Sequence, residues 1–185
     1  MFVIRFALLS SLFYALNVSM IPLIYTLEVS AFLFLFIRFG TTFFTSLVIT
    51  KSLFSFSKIK QQKLGLWLLI LSLLFGIQSW LYVEAVKYMS VGLASVVLFT
   101  YPLITYLIVS LNSRRKLDVS TILMFLLAII GIAAISQSED GFYTMAIGIV
   151  LAILSAISYS LILIITPKMS ALKNWEIVKY TTLIP

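Results

Sequence analysis

The 185-residue chain is 62% hydrophobic and only 10% charged, with a mean hydropathy of +1.17. A soluble domain carries roughly 45–50% apolar and about 25% charged residues, so this composition excludes an ordinary water-exposed surface and points to lipid. Cysteine and histidine are both absent, which excludes a disulfide framework, a Cys/His zinc site and most nucleophilic or metal-dependent chemistry.

A spanning helix needs about 20 mostly apolar residues, and six segments qualify in succession. The first covers Phe6–Thr26 and carries Tyr14 and Asn17. An amide within lipid needs a hydrogen-bond partner, either a neighbouring helix or a ligand. Arg5 and the apolar run after it also fit the start of a signal peptide. The run continues past Tyr25, however, without a small-residue cleavage site.

The second segment covers Ala31–Thr50, and Arg38 is its eighth residue, near the middle of the bilayer. A charge at that depth costs from about 2.5 up to about 17 kcal/mol unless it is paired or wetted. Arg38 is therefore either a structural partner for neighbouring groups or a cation lining a substrate path.

The third covers Leu64–Tyr82 and ends on Gln78, Trp80 and Tyr82. Trp and Tyr there suit an aromatic belt, whereas Gln78 lies deeper and is expected to face protein. The fourth covers Val91–Leu111, with Tyr101 and Pro102 at its centre. Proline has no N–H and clashes with the preceding turn, so Pro102 marks a packing kink or a hinge. The fifth covers Val119–Ile135, and the sixth covers Phe142–Thr166 with Tyr159 inside it. A seventh begins near Glu176. Short polar joints and the lack of barrel-type alternation make these helices rather than strands.

The joints set the orientation. Lys51, Lys58, Lys60 and Lys63 lie between the second and third spans, Arg114, Arg115 and Lys116 between the fourth and fifth, and Lys168 and Lys173 after the sixth. Arg5 precedes the first. The other joints hold Glu28, Glu84 with Lys87, and Glu139 with Asp140. The positive-inside rule then places the N-terminus in the cytoplasm, and the net charge of +7 is a topology signal rather than a sign of nucleic-acid binding.

The chain also resembles itself. Ala7, Leu9, Ser10, Tyr14 and Leu16 recur as Ala152, Leu154, Ser155, Tyr159 and Leu161, and Pro22 falls opposite Pro167. A duplication with five spans in the first copy inverts the second copy in the membrane, as in many secondary transporters. The expected organisation is a five-helix repeat over residues 1–137 and an incomplete second repeat over 142–185.

Several patterns together resemble the EamA-type transporters of the drug/metabolite transporter superfamily. They are Ile37-Arg38-Phe39, the run from Glu84 through Tyr88 and Ser90 to Ser95, Tyr101-Pro102, the helix around Gly131, and the restart at Gly148 with Ala152, Ser155 and Tyr159. The joint before the fifth helix departs from the family, which often has a Glu where this chain has Arg114 to Asp118. The resemblance implies a ten-helix carrier of two five-helix repeats, with Pro185 falling partway through the second, and movement of small metabolites, often outward.

The sequence reading is thus an all-α polytopic membrane helix bundle, one five-helix repeat plus the start of an inverted one. Its function is secondary transport of a small metabolite, in the efflux direction, by alternating access. Arg38, Gln78, Tyr101, Asn17, Tyr14 and Tyr159 are the candidate substrate-binding residues, and Pro102 is the hinge. No cofactor, metal or nucleic acid is expected. The partners are the lipid bilayer, a small-molecule substrate, and either a second copy of the chain or the remaining second-repeat helices. The location is the cell (inner) membrane. A second reading is a non-transporting membrane subunit or scaffold, or an inactive fragment of a ten-helix carrier.

An enzymatic reading fails on chemistry. A serine–histidine dyad and a His-Glu-x-x-His site both need histidine. A two-aspartate membrane protease needs both acids in spans, and Asp118 and Asp140 lie in joints. No glycine-rich phosphate loop is present.

Overall fold

The computed structural model describes residues 12, 15–50, 64–113, 119–136, 142–169, 172 and 174–182. Among these, every regular element is helical: α1 (Ile21–Thr26), α2 (Ala31–Thr50), α3 (Gly65–Ala85), α4 (Val91–Leu98), α5 (Tyr101–Asn112), α6 (Val119–Ser136), α7 (Phe142–Ile165), a 3₁₀ turn (Thr166–Met169) and α8 (Asn174–Thr181). Residues 15–19 are also helical and lead into α1. Four stretches reach membrane length, Ala31–Ile49, Gly65–Val86, Val91–Asn112 and Met145–Met169, with shorter apolar helices at Ala15–Thr26 and Val119–Ile132. The outward face is apolar, as at Phe32, Phe36, Phe44, Val48, and Leu123, Leu127 and Ile130 of α6. Contiguous exposed apolar surface on this scale is unstable in water and natural in lipid.

Local chemistry sets the helix ends. After α1 the chain reverses through Glu28 at φ 55°, and the Val29 N–H donates to the Ile24 carbonyl at 2.8 Å. This is a Schellman-type stop. Ser30 and Ser90 then cap α2 and α4, their hydroxyl oxygens accepting from the N–H of Leu33 and of Leu93 at 3.2 Å each.

Helix α3 continues a turn beyond the expected end at Tyr82, so Glu84 lies within it and forms an ion pair with Lys87 at 3.5 Å. Exposed pairs of this type contribute roughly 0–1 kcal/mol. The expected fourth span is one apolar path broken at Phe99 and Thr100 into α4 and α5.

Helix α7 is the hub, packing most extensively on α3 and also on α4 and α5. The contact face explains why. Gly148, Ala152, Ala156 and Ser160 recur every four residues, and all four are buried. Small residues at this spacing let helix backbones approach closely in lipid, where packing rather than water exclusion drives association. At Gly148 the approach is tight. An added Cβ would lie 3.1 Å from both Met89 Cγ and Tyr88 Cβ and 3.2 Å from the Ala85 carbonyl oxygen.

Two apolar clusters result. One, at the Glu84 end, joins Ile21, Ile24, Leu35, Phe39, Val83, Leu93, Val97, Ala152 and Ala156. The other, at the Lys168 end, joins Leu64, Leu68, Leu71, Ile162, Met169, Leu172 and Tyr180. There α8 packs on α2 and α3, burying Lys179 beside the Tyr180 ring, and the Lys168 ammonium lies 4.2 Å from the centre of the Trp67 ring.

Candidate functional site

Between the two clusters lies a cavity of about 860 Å³. The first helix contributes Ala15, Val18 and Ser19, α2 contributes Arg38, and α3 contributes Phe75, Gln78, Ser79 and Tyr82. Val91, Gly92, Ser95 and Leu98 of α4 form a further wall, completed by Phe99, Tyr101 and Tyr159. Phe75 and Tyr159 also pack on the apolar cluster at the Lys168 end. Tyr82 and Leu98 belong to the apolar cluster at the Glu84 end, so both clusters border the cavity. The volume is in the range of small-molecule sites, roughly 300–1,000 Å³.

The wall is polar in an ordered way. The Ser155 hydroxyl donates to the Gln78 carbonyl at 2.9 Å, and Gln78 Nε2 donates back to Ser155 Oγ at 3.3 Å. The Ser79 hydroxyl donates to Gln78 Oε1 at 3.3 Å. This arrangement joins α3 to α7 and holds the Gln78 amide in one orientation. Tyr82 OH and Ser95 Oγ are 2.8 Å apart, and Ser95 also donates to the Val91 carbonyl at 2.7 Å. The Tyr101 and Tyr159 rings meet edge to face, with centroids 4.6 Å apart and planes at 77°, a favourable aromatic geometry.

The break before Pro102 shapes this wall. Thr100 Oγ1 donates to the Val97 carbonyl at 2.7 Å, and Thr105 Oγ1 donates to the Tyr101 carbonyl at 2.8 Å. The Ser160 hydroxyl of α7 reaches the same Tyr101 carbonyl at 3.0 Å. Hydroxyls thus engage carbonyls around an interruption that proline imposes, and the bend presents Phe99 and Tyr101 to the cavity. Pro102 itself is exposed and lies outside the cavity lining.

The structure brings four of the sequence candidates, Arg38, Gln78, Tyr101 and Tyr159, to one cavity. Asn17 lines a smaller cavity of about 480 Å³ with Val29, Phe34, Ile37, Thr41 and Thr42, and Arg38 belongs to both. The Asn17 Oδ1 atom is buried with no hydrogen-bond partner among the described residues. Tyr14 lies outside the described residues.

Sequence reasoning missed Ser79, Ser95 and Ser155, and it grouped Tyr82 with the aromatic belt. Trp80 is half exposed, as a belt residue would be, whereas Tyr82 is buried in the cavity wall. The signal was present in the spacing. Tyr82 follows Gln78 by four residues, so the two share a helix face.

The match to known proteins agrees with this architecture. The sequence model of the EamA-like transporter family matches residues 1–137. Comparisons with curated proteins and with solved structures give no significant match. Apolar helices of membrane length, a polar cavity among them and a family match over most of its length identify a multi-pass membrane protein of a small-molecule transporter family: the chain belongs to the EamA-like transporter family.

Proposed function

We propose that this chain is a secondary carrier that moves a small metabolite out of the cell by alternating access through the cavity around Arg38, without ATP. The observation that carries the reading is the cavity itself. It lies between α2, α3, α4, α5 and α7 and holds a cation within a span. A polar cavity of small-molecule size among the spans is where an alternating-access carrier holds its substrate. With the N-terminus cytoplasmic, the Lys168 end faces the cytoplasm and the Glu84 end faces outward. The export direction rests on the family resemblance, and the orientation rests on the basic joints.

The test is counterflow in proteoliposomes loaded with candidate metabolites and no nucleotide. Saturable exchange above protein-free vesicles is expected, unchanged by added ATP. A folded, inserted protein that exchanges nothing supports the membrane-subunit reading instead.

Orientation is tested in cells. The chain has no cysteine, so single cysteines can be introduced at Lys60 and at Asp140. An impermeant thiol reagent is expected to label the second and spare the first. Labelling at position 60 in intact cells overturns the topology.

A further inference from the structure

The cavity wall contains a break, and the packing on its two sides is unequal. Helices α4 and α5 meet at Phe99 and Thr100. There the Thr100 N–H donates to the Val97 carbonyl at 3.1 Å, and the Leu103 N–H donates to the Thr100 carbonyl at 3.0 Å. These are closures of the 3₁₀ kind, and such a stretch within a long helix often marks a hinge. Before the break α4 is held fast: Leu93, Ala94, Val97 and Leu98, half of its eight residues, are buried. After it, α5 buries only Ser110 of its twelve. Few buried contacts make a segment cheap to displace.

The hydrogen bonds of α7 separate its two neighbours in the same way. Each serine hydroxyl has one proton to give. Toward α5, the Ser160 proton has two acceptors, the Ala156 carbonyl of its own helix at 2.8 Å and the Tyr101 carbonyl at 3.0 Å. The Tyr101 carbonyl has a second donor in Thr105 Oγ1 at 2.8 Å. When α5 moves away, Ser160 keeps Ala156 and Tyr101 keeps Thr105. Neither group is left unpaired, and an unpaired buried group is the large cost of breaking a hydrogen bond. Toward α3, the Ser155 proton goes to the Gln78 carbonyl while Ser155 Oγ receives Gln78 Nε2. Ser155 donates to no second acceptor among the described residues, so parting α3 from α7 strips both residues. Gly148 adds close packing against the Ala85 carbonyl at the end of α3 and against Tyr88 and Met89 just after it.

We propose that α5 is the moving wall of the cavity, hinged at Phe99–Thr100 and latched by Ser160, while α3 and α7 stay together as a rigid pair. The inference rests on the reading of this cavity as the transport site. Tyr101 opens α5 and meets Tyr159 edge to face in the cavity lining. Displacing α5 therefore parts the two rings and opens the wall. Since α5 runs from the cavity toward the basic joint at Arg114, the opening lies at the Lys168 end.

The experiment places nitroxide labels on cysteines introduced at exposed positions of the cysteine-free chain: Val109→Cys in α5 with Leu163→Cys in α7, and Leu69→Cys in α3 with Leu163→Cys. Electron–electron double resonance on the full chain in lipid nanodiscs reads both distances without any ligand. Two separations are expected for the α5–α7 pair and one narrow separation for the α3–α7 pair. Ser160→Ala should raise the ratio of the longer to the shorter α5–α7 separation about threefold or more, the equivalent of one ordinary hydrogen bond. Pro102→Ala restores the missing N–H, continues the helix and should collapse the α5–α7 distribution to one separation. The parent protein alone decides the main point even if a variant fails to fold. An α5–α7 distribution as narrow as that of α3–α7 overturns the hinge, and an unchanged ratio in Ser160→Ala overturns the latch. Counterflow separates the inference from the transport reading. A mobile α5 without any flux leaves the hinge standing and removes the carrier. Flux with α5 fixed, or with the α3–α7 distance varying instead, keeps the carrier and removes the hinge.

Discussion

Replacing Arg38 by Lys is expected to lower transport by about tenfold or more while leaving insertion and detergent stability close to those of the parent protein. Lysine keeps the charge but loses the planar fork of donors that grips a planar acceptor at two points. Hydrogen bonds to charged groups contribute about 1.5–3 kcal/mol, and about 1.4 kcal/mol is tenfold in affinity. The loss should appear first in the concentration giving half-maximal flux, because Arg38 lines the cavity that the substrate enters. Arg38→Gln removes the charge as well and should be more severe. The measurement is initial counterflow rate against substrate concentration, paired with a thermal melt of the same preparation. If folded protein and activity fall in parallel, Arg38 is a structural cation and the substrate path lies elsewhere.

Leu at Ala156, or at Gly148, is expected to be the most disruptive single change in the helix interfaces. Ala156 is fully buried, as are its neighbours in the stripe at Ala152 and Ser160. At Gly148 even a single methyl group meets Tyr88, Met89 and the Ala85 carbonyl within 3.2 Å. Overpacking of a tight interior costs about 1–3 kcal/mol and occasionally more. At Ala156 the displacement would also pull its neighbour Ser155 from Gln78 and loosen the cavity wall, so flux should fall with stability. Gly131 is the control, because a Cβ there meets nothing within 4 Å. Gly131→Ala should be neutral or stabilising by up to about 1 kcal/mol, through helix propensity alone. Thermal melts of the three variants in one detergent decide the matter. An Ala156→Leu variant as stable as the parent would mean that α7 does not seat on its neighbours through this face.

The sequence by itself determined the all-helical membrane architecture, the order of the apolar segments and the depth of Arg38 along its helix. These were legible because lipid imposes its demands residue by residue. A span needs a fixed length of apolar chain, its backbone must satisfy itself internally, and basic residues in short joints mark one side. Pro102 was legible as an interruption for the same reason, since the missing N–H is a property of the residue alone. The stripe of Gly148, Ala152, Ala156 and Ser160 stands in the sequence too, but only its contacts, Gly148 with Ala85, Tyr88 and Met89 and Ser160 with Tyr101, show which neighbours it serves.

The tertiary structure decided which polar groups meet. Gln78 and Ser155 are 77 positions apart in the chain, and Ser160 reaches Tyr101 across 59. No local pattern predicts such partners, because a serine in a span is equally satisfied by its own helix carbonyl four residues back. Tyr82 shows the same limit. A tyrosine near a span end suits the lipid interface by composition, and only the packing of α4 against α3 turned it inward to Ser95. Asn17 fell to the smaller cavity rather than the larger one because the rotation of a helix about its axis is set by its neighbours, not by its hydropathy.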